Sequence, residues 1–543
     1  MKLAKKLFVV VALWWACGMG CAWTVASRGE EARARYVFLF IGDGMGLAQR
    51  RAAELYLAAH GAPGASEAAR LVMNTFPAQG LADPGDLTSV IPDSASAATA
   101  IACGRKTHSG VVGMEADAKR PCETIAETVR KHHWKVGILS TVSLDHATPA
   151  AFYAHVPSRR QVREISLQLA GSGFEYFGGG RLSRIGEGAG QSSPAAIDIA
   201  RARGYTVVTG RSDLEALKPG AGKVIAMSPR VDDSGAMSFS LDHAGDPTQV
   251  TIADYLEKAV ELLDNPHGFF IMVEGGKIDW ACHANDASAA VHDTLALDDA
   301  VARAVDFHGR RPLETLIVVT ADHETGGMSI GFAETEYSLH IDRLRHQKMS
   351  CQEFERRLAE YRRSRPAGEP RLEEVLRLIH EGFGLLLLTA DEKLRLEAVI
   401  AEGEASNALD EARRSASEAR VKLAMALTDP EIEMLRRAWS QSMAREGASE
   451  RGDPARIRHD NRRDPLAIAL TRIMSGKAGL GWTTFGHTGI PVPTSALGVG
   501  AELFNGYYEL ADIHGKIMKS TGLELSQRGG RHGERDASYG SME

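Results

Sequence analysis

The chain is poor in cysteine and lacks any leading apolar run long enough to cross a membrane. Six cysteines stand among 543 residues. Two of them lie in the first 26 residues, and the other four, Cys103, Cys122, Cys282 and Cys351, have none of the paired spacing of a zinc knuckle, so a cysteine-built metal site is excluded. An oxidising compartment would permit disulfides, and four thiols allow three complete pairings, among which the sequence does not choose. The first apolar stretch, Leu7 to Ala16, is too short to span, since a membrane helix needs about 20 apolar residues. A strong charge imbalance is also missing. The formal net charge of -7 argues against nucleic acid as a partner, although a small local anion site remains compatible with it. No repeat of 20 to 50 residues points to a solenoid. Hydrophobic residues at 44% and charged residues at 24% favour neither a disordered chain nor a multi-span membrane protein, which leaves a globular chain long enough for a large core.

The N-terminus has the order of an export signal: basic Lys2, Lys5 and Lys6, the apolar stretch, then small residues to Ala26. Thr24 and Ala26 are small where a signal peptidase inspects the chain. These residues hold three lysines and no acid, so a chain without them carries -10 rather than -7. A periplasmic or secreted location follows, with membrane attachment expected only if the signal is retained or Cys21 is lipidated. Gly18-Met19-Gly20 fits a lipoprotein signal poorly. The expected segments are the export signal at 1–26, a discontinuous core at 33–340 and 477–522, a helical insertion at 341–476, and a disordered Gly-, Ser- and Arg-rich tail at 523–543.

Several short apolar runs end in residues able to do chemistry. Val37 to Ile41 leads into Gly42-Asp43-Gly44, Val136 to Leu139 into Ser140-Thr141, Phe269 to Val273 into Glu274, and Leu316 to Val319 into Thr320-Ala321-Asp322-His323. Their length and branching predict buried parallel strands. Helical patterns such as Cys122 to His132 and Ile252 to Leu263 lie between them. This alternation predicts an α/β fold with a mostly parallel central sheet, helices on both faces and a large helical insertion. Ligands in such sheets sit beyond the carboxyl ends of the strands, where Asp43, Glu274, Asp322 and His323 emerge. The insertion is rich in Glu, Arg, Ala and Leu, and three capping boxes punctuate it: Ser350 with Glu353, Thr389 with Glu392, and Thr428 with Glu431.

Asp279 and His283 are four apart, on one face if the segment is helical. That is half of a zinc site, though such a pair alone is more often a surface pair. Asp322-His323 at the end of a buried strand carries more weight, because two ionisable groups there cannot stay dry and unpaired. In Asp93-Ser94-Ala95-Ser96-Ala97, small residues of good helix propensity put Ser94 near a helix start, where amides and the helix dipole favour an anion. Taken alone, Ser94 or Asp93 reads first as a helix cap, which small residues of this kind very often are.

The segments Ile41 to Gly46, Asp93-Ser94-Ala95, His146 to Ala150, Ala154 to Arg159, Val273-Glu274-Gly275, Thr320 to Gly327 and Gly486-His487-Thr488-Gly489 together resemble the alkaline phosphatase family, in that family's order. The pattern Ala321 to Gly327 with Trp482 to Gly489 is most similar to its bacterial secreted members. The resemblance implies one zinc on Asp279, His283 and His487. It implies a second on Asp43, Asp322 and His323, with Ser94 reaching it as nucleophile. A third ion, magnesium in most members, is implied near Asp43, Thr148 and Glu274, and Arg159 matches the arginine that grips phosphate oxygens. The implied reaction is hydrolysis of phosphate monoesters to an alcohol and inorganic phosphate through phosphoserine, and a homodimer is expected. Diesterases usually lack an equivalent of Arg159, and the residues around Ser94 are not a sulfatase motif. Two positions depart from the pattern of some members: His146 stands where they carry aspartate, and Trp280 where they carry a basic residue. His146 adds a nitrogen donor, so cobalt and zinc stand beside magnesium as third-site ions. About 160 residues separate His323 from His487, more than compact members need.

Overall fold

The computed structural model describes residues 32–60, 69–183, 195–333, 335–364, 370–405, 409–444 and 463–523. The expected export signal and all of the expected tail beyond Leu523 lie outside them. Fourteen strands follow one another along the described chain: β1 (Tyr36–Ile41), β2 (Ala78–Asp83), β3 (Lys135–Ser140), β4 (Tyr176–Gly179), β5 (Tyr205–Thr209), β6 (Lys223–Met227), β7 (Phe269–Glu274), β8 (Thr315–Thr320), β9 (Glu324–Thr325), β10 (Ser329–Ile330), β11 (Leu480–Gly481), β12 (His487–Thr488), β13 (Val492–Gly498) and β14 (Gly506–Glu509). Ten of these form one sheet in the order β14-β2-β13-β8-β1-β7-β3-β4-β6-β5. Every pairing in it is parallel except those of β13 with β2 and β8.

The apolar runs become its centre. All six residues of β1, β7 and β8 are buried, as suits parallel strands covered on both faces. Register then decides what these strands deliver. Ile41 lies opposite Glu274 and Thr320, and Ser140 opposite Glu274, so four neighbouring strands end at one level. Strands in a sheet are about 4.8 Å apart, and the residues that follow β8, β1, β7 and β3 therefore share one small region.

The helix Ile252–Leu263 spans its predicted range, with a reciprocal cap between Thr251 and Asp254 and its apolar stripe buried. Insertion helices build a second core around Phe354, Leu358, Ile379, Phe383, Leu435, Trp439 and Leu470. Two of its predicted capping boxes form in full, at Thr389 with Glu392 and at Thr428 with Glu431. The third forms only by half. Ser350 Oγ accepts from the Glu353 amide at 3.1 Å, but the Ser350 amide donates to Asp242 Oδ1 at 2.6 Å, while Glu353 binds Arg356 and Arg357. A carboxylate from the core has displaced the local one.

Cys103, Cys122, Cys282 and Cys351 are free, buried thiols, so none of the three pairings left open by the sequence is formed. Cys282 and Cys351 are pushed up by burial. Among the described residues, no helix is long and apolar enough to cross a membrane.

Candidate metal centre and nucleophile

Asp43 follows β1 through Gly42, and the chain then turns at Gly44. That glycine has φ +73°, and a Cβ there would lie 2.9 Å from the Asp279 backbone. Both the conformation and the close approach require glycine. The turn also lets the Gly44 amide donate to Asp322 Oδ1 at 3.2 Å. Glu274 ends β7, and the seven-residue helix Lys277–His283 begins three residues later. It carries Asp279 and His283 on one face, as a spacing of four demands, with His283 Nε2 3.3 Å from Asp279 Oδ2.

His487 arrives from the far side of the insertion. Its strand β12 pairs antiparallel with β9, placing His487 opposite Thr325. Gly326 and Gly327 sit at φ +90° and +57°, and a Cβ on Gly327 would lie 1.8 Å from Thr483 Oγ1. The loop returning from the insertion can therefore dock only on glycines. Docked there, His487 Nε2 lies 3.2 Å from His283 Nε2 and 3.8 Å from Asp279 Oδ1.

The two rings are oriented from behind. His283 Nδ1 faces the Phe485 carbonyl and His487 Nδ1 the Pro92 carbonyl. A carbonyl only accepts, so each Nδ1 carries hydrogen and each ring, when neutral, turns its Nε2 lone pair inward; burial would lower His283, but Asp279 outweighs it and raises the group. Two lone pairs 3.2 Å apart, beside a carboxylate, converge where an electrophile belongs.

His323 is oriented in the same way. Its Nδ1 lies 3.2 Å from Thr325 Oγ1, which donates to Asp279 Oδ1 at 2.6 Å. Its Nε2 lies 3.2 Å from Asp322 Oδ2, 3.4 Å from Asp43 Oδ1 and 3.2 Å from Ser94 Oγ. Ser94 opens the fully buried helix Ser94–Cys103, capped by Asp93, whose side chain accepts from the Ser96 amide. Ser94 is thus both a first-turn residue and a neighbour of the second cluster.

Asp93 has a second duty. Its Oδ2 accepts from Arg159 Nη1 at 2.9 Å, and Gly110 donates to Oδ1 at 2.8 Å. Burial would raise the Asp93 carboxyl, but the Arg159 charge and the two amides outweigh it and hold the group well below the usual range. This fixed anion, next to Ser94 in the chain, holds the guanidinium. Its Nη2 also reaches His146 Nε2 at 3.2 Å. His146 Nδ1 faces Glu274 Oε1 at 3.9 Å, Thr148 Oγ1 donates to Asp43 Oδ2 at 3.5 Å, and Ser140 Oγ donates to Glu274 Oε2.

Three groups of donor atoms result, each within 4.8 Å: Asp279 with His323 and His487, Asp43 with Asp322 and His323, and Asp43 with His146 and Glu274. All eleven residues singled out from the sequence come together here. His283 stands beside the first group through its contacts with Asp279 and His487. Residues without an assigned role in the sequence also take part: Thr325 and Ser140 support the donors from behind, and Asp93, read from the sequence only as a candidate cap, also holds Arg159. Thr325 lies inside a quoted motif, two residues after His323, but nothing local says which carboxylate its hydroxyl meets.

The electrostatics call for cations. Burial, reinforced by neighbouring carboxylates, pushes Asp43 and Asp322 well above the usual carboxyl range. Burial would raise Asp279 too, but His283 and His487 overcome it and hold the group well below that range. Burial lowers His323 and His487. Among the described residues Asp43 Oδ1, Asp322 Oδ2 and Glu274 Oε1 are buried with no hydrogen-bond donor. A buried anionic oxygen without a partner is costly, and a metal ion satisfies it. The first two donor sets, of carboxylate and imidazole, suit zinc. The third, richer in oxygen, suits a harder ion or one tolerant of a single nitrogen.

The alkaline phosphatase family model matches residues 34–523. Alkaline phosphatase 4 of Bacillus subtilis (strain 168) is 26% identical over 513 residues, covering 91% of each chain. Streptomycin-6-phosphate phosphatase of Streptomyces griseus is 32% identical over 347 residues, which is 55% of this chain and 76% of that one. Among solved structures, the cold-active alkaline phosphatase of Shewanella sp. superposes with a TM-score of 0.65 at 25% identity, covering 90% of this chain and 99% of that one.

Proposed function

The chain belongs to the alkaline phosphatase family, and we propose that it hydrolyses phosphate monoesters through a phosphoserine at Ser94. The observation that carries this reading is the place of Ser94 Oγ. It lies at a helix start 3.2 Å from His323 Nε2, and Arg159 is paired with Asp93, the residue before it in the chain. Two zinc ions, one on Asp279, His283 and His487 and one on Asp43, Asp322 and His323, would lower the serine and water pKa values and offset charge on the entering and leaving oxygens.

Ser94 supplies the oxygen that attacks phosphorus, so one P–O bond forms to Oγ as the ester P–O bond breaks and the alcohol departs. Amides at the start of the helix and the planar fork of Arg159 hold the non-bridging oxygens. Water then attacks the phosphoserine from the side the alcohol left, freeing Ser94 and inorganic phosphate. A diester would put a substituent where Arg159 needs a bare oxygen, which favours monoesters. Magnesium is the third ion we propose on Asp43, Thr148 and Glu274, with cobalt or zinc competing through His146. Export to the periplasm or beyond, and a homodimer, belong to the same reading.

The test combines metal analysis with trapping. Purified protein should hold about two zinc ions per chain, accept label from a phosphate monoester on Ser94 and turn over a phenyl phosphate monoester faster than the diester. Label on another residue, or preference for the diester, would overturn the reading.

A further inference from the structure

The insertion touches the core at the back of the helix that carries Asp279 and His283. Lys277, the first residue of that helix, is fully buried. Its ammonium donates to Gln352 Oε1 at 2.8 Å and lies 3.7 Å from Asp232 Oδ2. It also sits 3.8 Å from the Phe239 ring centroid and 4.7 Å from that of Trp280. Gln352 is the second residue of the first insertion helix, Cys351–Ser364. Its amide nitrogen donates to the same Asp232 oxygen at 2.8 Å, which closes a ring of three side chains. A buried ammonium has a steep desolvation cost unless its donors are met, so this ring fixes Lys277 tightly.

The other end of the same helix is held as well. Asp286, just beyond His283, accepts from Gln347 Nε2 at 2.8 Å and from the Cys351 amide at 2.7 Å. Thr471 and Ser475, on the returning helix Pro465–Ala478, donate to the carbonyls of Ala284 and Asn285 at 2.9 and 3.1 Å. A seven-residue helix has too few internal hydrogen bonds to hold its own direction. Both of its ends are gripped by the insertion, and the ligand pair lies between the grips.

We infer that the insertion is the positioning element of the first metal site, with Gln352 and Lys277 as positioning residues that set where Asp279 and His283 stand. The inference rests on the reading that Asp279, His283 and His487 hold a zinc ion. Groups that orient ligands typically change metal affinity by about 10- to 100-fold when lost. Gln352→Ala should therefore release one of the two zinc ions to a chelator about tenfold faster or more and lower kcat. KM should change little, because the phosphate-gripping residues are untouched. Gln352→Glu keeps an acceptor for Lys277 but turns the hydrogen bond to Asp232 into a contact between two carboxylates, so it should restore slow release only in part. Thr389→Ala, in a cap of the insertion remote from these contacts, should leave release unchanged.

The experiment is stopped-flow zinc release to a chromogenic chelator on holoenzyme, with melting curves for each variant. Equal release from Gln352→Ala and parent, or the same acceleration in Thr389→Ala, overturns the inference. Asp279→Ala run beside them separates the two levels: if it leaves zinc content at the parent value, the metal reading itself has failed and the inference falls with it. Lys277→Met serves as the second variant, and faster zinc release without loss of the second zinc supports the same conclusion.

Discussion

The strand ends of the core and the outer face of the insertion use the same charged residue types to opposite effect. At the strand ends Asp43, Glu274, Asp322 and His323 have no solvent exposure at all, and three of them carry oxygens that no described donor meets. On the insertion, charges pair along helix surfaces, as Arg437 does with Glu433 at 2.9 Å and side-chain exposures of 74% and 52%. A buried, unmatched charge destabilises the fold unless a counter-ion arrives. An exposed pair at this spacing contributes little. The comparison teaches that charge density does not locate chemistry in this molecule; among the described residues, buried carboxylate oxygens left unmet do. The inner ends of the insertion, at Gln352, Gln347, Thr471 and Ser475, behave like the core and not like their own outer face.

The sharpest way to break this comparison is at the proposed nucleophile. Ser94→Ala should lower turnover by about a thousandfold or more, leave no trappable phosphoenzyme and keep zinc content and fold. Retention of the phosphoenzyme would show that the buried donor set serves another residue. Next in size is His487→Ala, which removes the proposed zinc ligand brought back across the insertion. Zinc content should fall by one ion per chain and turnover by about 100-fold, at or beyond the upper range seen for residues that only orient ligands. Full zinc occupancy with normal turnover would remove His487 from the site.

Thr325→Val should have an intermediate effect. It deletes the hydroxyl that bonds Asp279 and meets His323 while leaving every ligand in place, so chelator competition should show zinc affinity reduced by about tenfold. Affinity equal to the parent's would mean that the donors are held by the backbone alone. His146→Asp should be smaller again, replacing the nitrogen of the third cluster with oxygen. Activation of metal-stripped protein should shift from cobalt or zinc towards magnesium, and identical activation profiles would take His146 out of metal choice. Trp280 is better left alone in that test, because Lys277 lies over its ring and a lysine at 280 would bring two ammonium groups together. The smallest effect belongs to the outer insertion. Arg437→Ala should leave turnover unchanged and move the melting temperature by about 1 °C or less. A large loss of activity there would erase the contrast between the two regions.

Much of the core was legible because its signals are local. The all-apolar runs of β1, β7 and β8 name their own burial, and the amphipathic Ile252–Leu263 names its own span. Other features were illegible for a reason of distance. Ser350 has the local signature of a capping box, yet Asp242, 108 residues away, takes the amide. The order of the sheet places antiparallel β13 between β2 and β8, a pairing no neighbour in sequence dictates. The four thiols could be counted but not paired, and all are free.

What the sequence determined by itself is the set of donors and the ends on which they stand. A strand's length and branching, and the residue that follows it, are properties of a few consecutive positions. What only the tertiary structure decided is convergence. His487 meets His283 because β12 pairs with β9 and because glycines at 326 and 327 admit the returning loop. Lys277 meets Gln352 because the fold brings two residues 75 apart in sequence within hydrogen-bond distance. Such contacts follow from register and close packing, which no stretch of sequence encodes until the whole chain has folded around them.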